Sequence, residues 1–138
     1  MILTIHTDGG SRGNPGKAAF GVVILENQKV IAEIKQTIGV ATNNEAEYSA
    51  FFASLEWILA QKNIHSFTKI EWKLDSKLVI EQLNKQWKIK EPRMAHLASK
   101  CWELLAQLNC PYTISYVPRA ENAAADALVN QALDEAAA

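Results

Sequence analysis

The stretch from Thr42 to about Gln61 constrains this chain most, because it reads as a helix that is apolar around most of its circumference. Tyr48, Phe51, Phe52, Leu55 and Leu59 form one stripe at helical spacing, and Ala46, Ala50, Ala53 and Trp57 lie on another face. A helix with two apolar faces is a buried helix, packed on a sheet and on neighbouring helices. Thr42, Asn43 and Asn44 supply its cap, and acidic residues fall in its first turn, where the helix dipole favours them.

What precedes this helix reads as strand. Ile2 to Thr7 is β-prone and runs into Asp8-Gly9-Gly10-Ser11-Arg12-Gly13-Asn14-Pro15-Gly16, whose glycines and proline predict an irregular loop. Ala18 to Glu26 and Val30 to Val40 are two further strands, split by the short polar connection Asn27-Gln28-Lys29. Links this short predict an antiparallel meander. After the central helix come a strand at Ile70 to Leu74, a helix from about Ser76 to Gln86, and a helix opened by Pro92. Met94, Leu97, Cys101, Leu104, Leu105 and Leu108 form the stripe of that helix; Tyr112 to Val117 is the fifth strand and Glu121 to Glu135 the last helix. The order β-β-β-α-β-α-α-β-α predicts an α/β fold with a five-stranded mixed sheet, three strands antiparallel and two parallel, flanked by helices. No linker or repeat interrupts it, so residues 1–138 are expected to form one domain.

Composition narrows the function less than the pattern does. Lys and Arg total 14 against 15 Asp and Glu, so the basic excess usual in tight, non-specific nucleic-acid binders is missing and only a local basic strip can serve. Cys101 and Cys110 lack metal-ligand spacing and are expected to be free thiols in a reducing compartment. The first residues, MILTIHTD, contain no signal-peptide core, and no apolar run approaches the roughly 20 residues of a membrane span. A cytoplasmic monomer is the expectation.

The candidate chemistry lies in acids. Asp8 is placed at the end of the first strand and Asp75 at the end of the fourth, and strand C-termini in open α/β sheets are where ligands bind. Asp126 lies one turn into the last helix, spaced i, i+4 and i+8 with Asn122 and Asn130, and Glu47 lies in the first turn of the buried helix. Each alone is explained as a cap, a turn former or a solvent-facing acid; the signal is the set. Carboxylates gathered in one place need a cation, and hard oxygen ligands without His or Cys suit Mg²⁺ or Mn²⁺. Two such ions support in-line attack of water on a phosphodiester, one activating the water and the other stabilising the leaving 3′-oxygen.

Four segments carry a resemblance across Thr7 to about Leu133: Thr7-Asp8-Gly9-Gly10-Ser11-Arg12-Gly13-Asn14-Pro15-Gly16, Thr42-Asn43-Asn44-Glu45-Ala46-Glu47-Tyr48, Leu74-Asp75-Ser76, and Val117-Pro118-Arg119-Ala120-Glu121-Asn122 through Asp126. In this order they resemble the type 1 ribonuclease H family. The resemblance implies a ribonuclease H-like fold and an endoribonuclease that cleaves the RNA strand of RNA/DNA hybrids with two metal ions when substrate is bound. Asp8 would bridge both ions, Asp126 would complete one site, and Glu47 and Asp75 the other. The family's spacing selects Glu47 over its neighbour Glu45. Gly9, Gly10, Ser11, Asn14, Asn43 and Asn44 would face the minor groove, some of them reading the 2′-hydroxyls that distinguish RNA from DNA. Thr42 would hold a DNA phosphate.

Two departures bear on substrate handling. The loop before the last helix is short and holds no histidine, which leaves Arg119 as the local candidate for a phosphate contact. His6, His65 and His96 fall outside the catalytic positions and are expected to be structural or on the surface. Some members of the family carry a basic handle between the middle helices, where this chain has only Lys85-Gln86-Trp87-Lys88-Ile89-Lys90. Trp87 either stacks on the DNA strand or packs against a helix. Weaker, more salt-sensitive binding is expected, with relaxed specificity extending to double-stranded RNA as the alternative activity. A non-catalytic hybrid-binding module and an integrase-like enzyme are the more distant alternatives.

Overall fold

A computed structural model describes residues 1–137; Ala138, the last residue of the expected domain, lies outside the described residues. The elements follow the expected order: β1 (Ile2–Arg12), β2 (Gly16–Glu26), β3 (Lys29–Ala41), α1 (Asn43–Leu59), β4 (Lys69–Leu74), α2 (Lys77–Leu83), α3 (Pro92–Leu105), β5 (Tyr112–Tyr116) and α4 (Ala123–Ala137). Single 3-10 turns at Ile64–Ser66 and Arg119–Asn122 were not expected. The sheet runs β3-β2-β1-β4-β5, with β1–β2 and β2–β3 antiparallel and β1–β4 and β4–β5 parallel. The five-stranded mixed sheet is as the element order predicts.

Alternation along β2 explains the layers. Phe20, Val22 and Ile24 point into the main core with Tyr48, Phe51 and Leu55 of α1 and Ala98 and Cys101 of α3. Ala19 and Val23 point to the opposite face, against Val129 and Leu133 or Ala125 and Leu128 of α4. A strand covered on both faces must be apolar throughout, which is why Ala18 to Leu25 reads as a nearly unbroken hydrophobic run. The β2–β3 hairpin turns through Asn27 (φ 50°) and Gln28 (φ 70°), with Glu26 paired to Lys29. Two successive residues with positive φ match the right-handed twist of the flanking strands.

Two boundaries differ from expectation. The first strand does not stop at Asp8: Gly9 to Arg12 continue the ladder, paired with Phe20 to Lys17, and the turn is confined to residues 13–15. Glycine serves close packing here. A Cβ on Gly9 would lie 2.2 Å from the backbone carbon of Ala46, so only glycine lets α1 approach β1 this closely. Gly21 does the same on the other face, where a Cβ would lie 2.5 Å from the carbonyl oxygen of Ala125 in α4. The helix after Asp75 is also shorter than expected, ending at Leu83 because Lys85 adopts φ 62° and the Gln86 and Trp87 amides fold back onto the Glu81 carbonyl.

Candidate active site

Three elements converge at one end of the sheet. Asp8 lies within β1, Glu47 projects from the first turns of α1 across the Gly9 contact, and Asp75 follows directly on β4. One carboxylate oxygen from each lies within 4.8 Å of the others. Asp126, one turn into α4, completes the lining of the same open cleft of ≈ 370 Å³. The four sequence-derived acids are thus brought to one place, although Asp126 stands outside the tight trio and leans toward Arg119, whose guanidinium is 3.5 Å from its Oδ1.

Burial makes this cluster costly without a cation. Asp8 and Glu47 are each only 5% exposed. Burial, with the Asp75 and Asp126 charges adding to it, pushes the Asp8 carboxyl up to about 7, against a partial offset from the adjacent Glu47 carboxyl. Burial and then the negative charge of Asp8 hold the Glu47 carboxyl well above its ordinary value, opposed by the Gly9 amide. That amide donates to Glu47 Oε1 at 3.1 Å, while Glu47 Oε2 is buried with no partner at all. A buried, unpartnered carboxylate oxygen beside two more carboxylates is an environment suited to a cation. The all-oxygen donor set fits a hard divalent cation.

The neighbouring acid, Glu45, has a different task. Its Oε1 accepts from the Thr42 amide at 3.1 Å while Thr42 Oγ1 accepts from the Glu45 amide at 3.1 Å, a reciprocal capping box at the start of α1. The Thr42 hydroxyl oxygen therefore caps the helix end as an acceptor. Asn43 Oδ1 accepts from the Ser11 amide at 2.8 Å, and Asn14 Oδ1 accepts from the Asn43 amide at 3.0 Å. These bonds lock the β1–β2 turn to the α1 N-terminus. Gly9, Gly10, Ser11 and Asn43 line the cleft; Asn14, Thr42 and the half-buried Asn44 lie beside it.

The remaining predicted positions divide. Arg119 lines the cleft and its side chain is 81% exposed, free to meet an anion. Trp87 is 46% exposed and lies apart from the acids, in a second groove with Lys85, Lys88, Ile89 and Trp102. It stands outside the main core beside Ala95 and Trp102 of α3, about half covered, so one part of the ring packs on that helix and the other faces solvent. Asn122 was expected to share a helical face with Asp126 and Asn130; it precedes the helix in the 3-10 turn and points inward, buried. Asn130 does face Asp126, donating to its carbonyl at 3.2 Å. His6 is half-buried and His65 and His96 are exposed.

Sequence reasoning assigned no role to Arg12, Tyr116, Val129 and Leu133, which also line the cleft. The last two follow Asp126 at i+3 and i+7, so helical spacing alone was the available signal. Tyr116 gave none, since the strand pattern does not say which face its end presents.

Comparison with known proteins agrees with this geometry. Residues 6–132 match the family described as Reverse transcriptase-like. The chain is 45% identical to the ribonuclease HI of Halobacterium salinarum over 132 residues, covering 95% of this chain and 64% of that protein. It is 42% identical to a bifunctional protein of Mycobacterium tuberculosis, covering 99% of this chain and 37% of the other. The chain thus spans less than two thirds of the length of these relatives. Among solved structures, the RNase H1 of the halophilic archaeon Halobacterium salinarum superposes with a TM-score of 0.89 at 41% identity, covering 98% of this chain and 99% of that one. LC11-RNase H1 in complex with RNA/DNA hybrid gives a TM-score of 0.93 at 35% identity, covering 99% of both chains.

Proposed function

The chain belongs to the type 1 ribonuclease H family, and from that premise we propose that it is an endoribonuclease hydrolysing the RNA strand of RNA/DNA hybrids. The observation that carries this reading is the buried Asp8–Glu47–Asp75 cluster with its unpartnered Glu47 oxygen, open to a cleft that Asp126 also lines. Asp8, Glu47, Asp75 and Asp126 would hold two Mg²⁺ ions, with Mn²⁺ able to substitute. Bound there, the metal supplies a nucleophilic water at neutral pH and charge stabilisation at the leaving 3′-oxygen.

The protein's own residues do the rest. Burial favours the neutral forms of Asp8 and Glu47, so a cation held by these carboxylates would bind in competition with protons. The interlocked Ser11, Asn14 and Asn43 hold the cleft rim rigid, which fixes where a sugar-phosphate backbone can rest. Gly9 and Gly10 line that path and Asn44 lies beside it; Thr42, whose capping oxygen accepts and whose O–H remains to donate, and Trp87 in its separate groove are assigned to the DNA strand. Arg119 is assigned to a phosphate near the cut, since it is the more exposed of the two cleft arginines and can leave Asp126 for a stronger anion, whereas Arg12 pairs with Asp134. All four acids come from one chain, so a monomer carries a complete site. The free thiols Cys101 and Cys110 support a reducing, cytoplasmic setting.

A second reading, cleavage of double-stranded RNA as well, is favoured by the short Lys85 to Lys90 segment, which offers little surface to test the DNA strand. Incubating the protein with labelled RNA/DNA hybrid, duplex RNA and duplex DNA, each with Mg²⁺, Mn²⁺ or chelator, separates the readings. Metal-dependent cutting of hybrid alone supports the strict activity, cutting of both RNA-containing duplexes the relaxed one, and no cutting of hybrid sinks both.

A further inference from the structure

Asp126 is the one acid of the four that is not in the tight trio, and it comes from the helix on the far face of the sheet. Something must fix where α4 enters relative to β1, or the distance from Asp126 to Asp8 would drift. The 3-10 turn Arg119–Asn122 that leads into α4 contains a single buried polar side chain, Asn122, which is 1% exposed. Its Nδ2 donates to the Thr7 carbonyl at 2.9 Å, on the residue immediately before Asp8. Its Oδ1 lies 3.1 Å from His6 Nδ1.

These contacts determine one another. The Thr7 carbonyl can only accept, so the amide nitrogen of Asn122 must face it and the amide oxygen must face His6. An amide oxygen also only accepts, so His6 Nδ1 carries the hydrogen and donates. The Thr7 carbonyl thereby fixes the flip of Asn122, the donated His6 hydrogen holds the amide oxygen in place, and Asn122 ties the foot of α4 to the backbone beside Asp8. Inside a buried environment such a network is rigid when every member is satisfied.

We propose that His6 and Asn122 are positioning residues that set the Asp8–Asp126 separation and so tune the affinity of the site for its divalent cation. This rests on the metal-dependent reading above, but its prediction concerns metal binding as much as turnover. Outer contacts that orient metal-ligating carboxylates act on metal affinity in just this way.

The test uses His6→Phe, which keeps the ring and loses the donor, and His6→Asn, whose amide nitrogen can stand where Nδ1 stood. Metal-free melting temperature reports folding, calorimetric titration with Mn²⁺ reports binding without catalysis, and the Mg²⁺ dependence of hybrid cleavage reports turnover. His6→Phe is expected to melt within about 5 °C of the wild type. Its Mn²⁺ dissociation constant and half-saturating Mg²⁺ are expected to rise about tenfold, with kcat restored at high Mg²⁺ and His6→Asn recovering much of the loss. Unchanged Mn²⁺ binding in His6→Phe overturns the proposal, as does a fall in kcat that no Mg²⁺ concentration repairs. A wild-type protein that binds Mn²⁺ but cuts no hybrid would instead overturn the activity, leaving the binding comparison to judge the His6–Asn122 strut by itself.

Discussion

At the scale of single residues, the difference between Glu45 and Glu47 shows how position assigns chemistry to identical side chains. Glu45 closes a capping box at the surface end of α1, and Glu47, two residues on, is turned inward against Asp8. Glu45→Gln keeps an acceptor for the Thr42 amide and is expected to cost less than about 1 kcal/mol of stability, with cleavage almost unchanged. Glu47→Gln is expected to lower kcat by more than roughly 100-fold, since it removes charge from the centre where charge develops. The reverse ranking in a turnover assay would show that the helix register is misassigned. Titration offers a second check. Asp8 rises from an ordinary 3.8 to about 7 in the fold, so folding favours its protonated form. That contribution is complete below the unfolded value and is lost as pH climbs through the folded one. The metal-free protein should therefore melt lower at about pH 8 than at about pH 5, and the gain from saturating Mg²⁺ should grow over the same interval. Asp8→Asn should flatten both trends; a metal-free melting curve indifferent to pH would contradict the origin assigned to the shift.

At the scale of elements, the site exists because α1 lies almost on the backbone of β1. Gly9→Ala would drive a methyl group into the Ala46 peptide and is expected to destabilise the fold by roughly 3 kcal/mol, while pulling Glu47 away from the Gly9 amide. Chemical denaturation and the half-saturating metal concentration should both report it. A silent Gly9→Ala would mean that the approach is looser than the geometry states. This is also where sequence and structure part. Element order, the capping of α1 by Thr42 and the hairpin at Asn27 and Gln28 were legible, because caps, period and turn chemistry are local. The extension of β1 through Gly9 to Arg12 was not, because glycine in a strand and glycine in a loop look alike until the partner is known. The buried turn at Asn122 was hidden for the same reason: i+4 spacing to Asp126 suggested a shared helical face, and only the 3-10 geometry turns the side chain inward. The four acids were legible as a set through the family pattern, whereas the orphaned Glu47 oxygen and the strut from His6 are properties of packing alone.

At the scale of the whole molecule, a chain of net charge −1 has to hold a polyanion through local features. Arg12 and Arg119 stand at the cleft, and Lys85, Lys88 and the exposed Trp87 stand at a separate groove, so the proposed function assigns the substrate two places on the surface. Trp87→Ala is expected to raise KM for hybrid about fivefold or more with kcat little changed, as loss of a stacking platform does. Unaltered KM would confine the substrate to the acid cleft. The central claim, that these four carboxylates act together in metal-dependent cleavage, is tested most directly by one comparison. Wild type and Asp75→Asn are assayed side by side on a labelled RNA/DNA hybrid at saturating Mg²⁺, with hybrid binding measured on the same samples. Cleavage by the wild type, its loss in Asp75→Asn and retained binding by both is the predicted result; equal cleavage by the two proteins would contradict it.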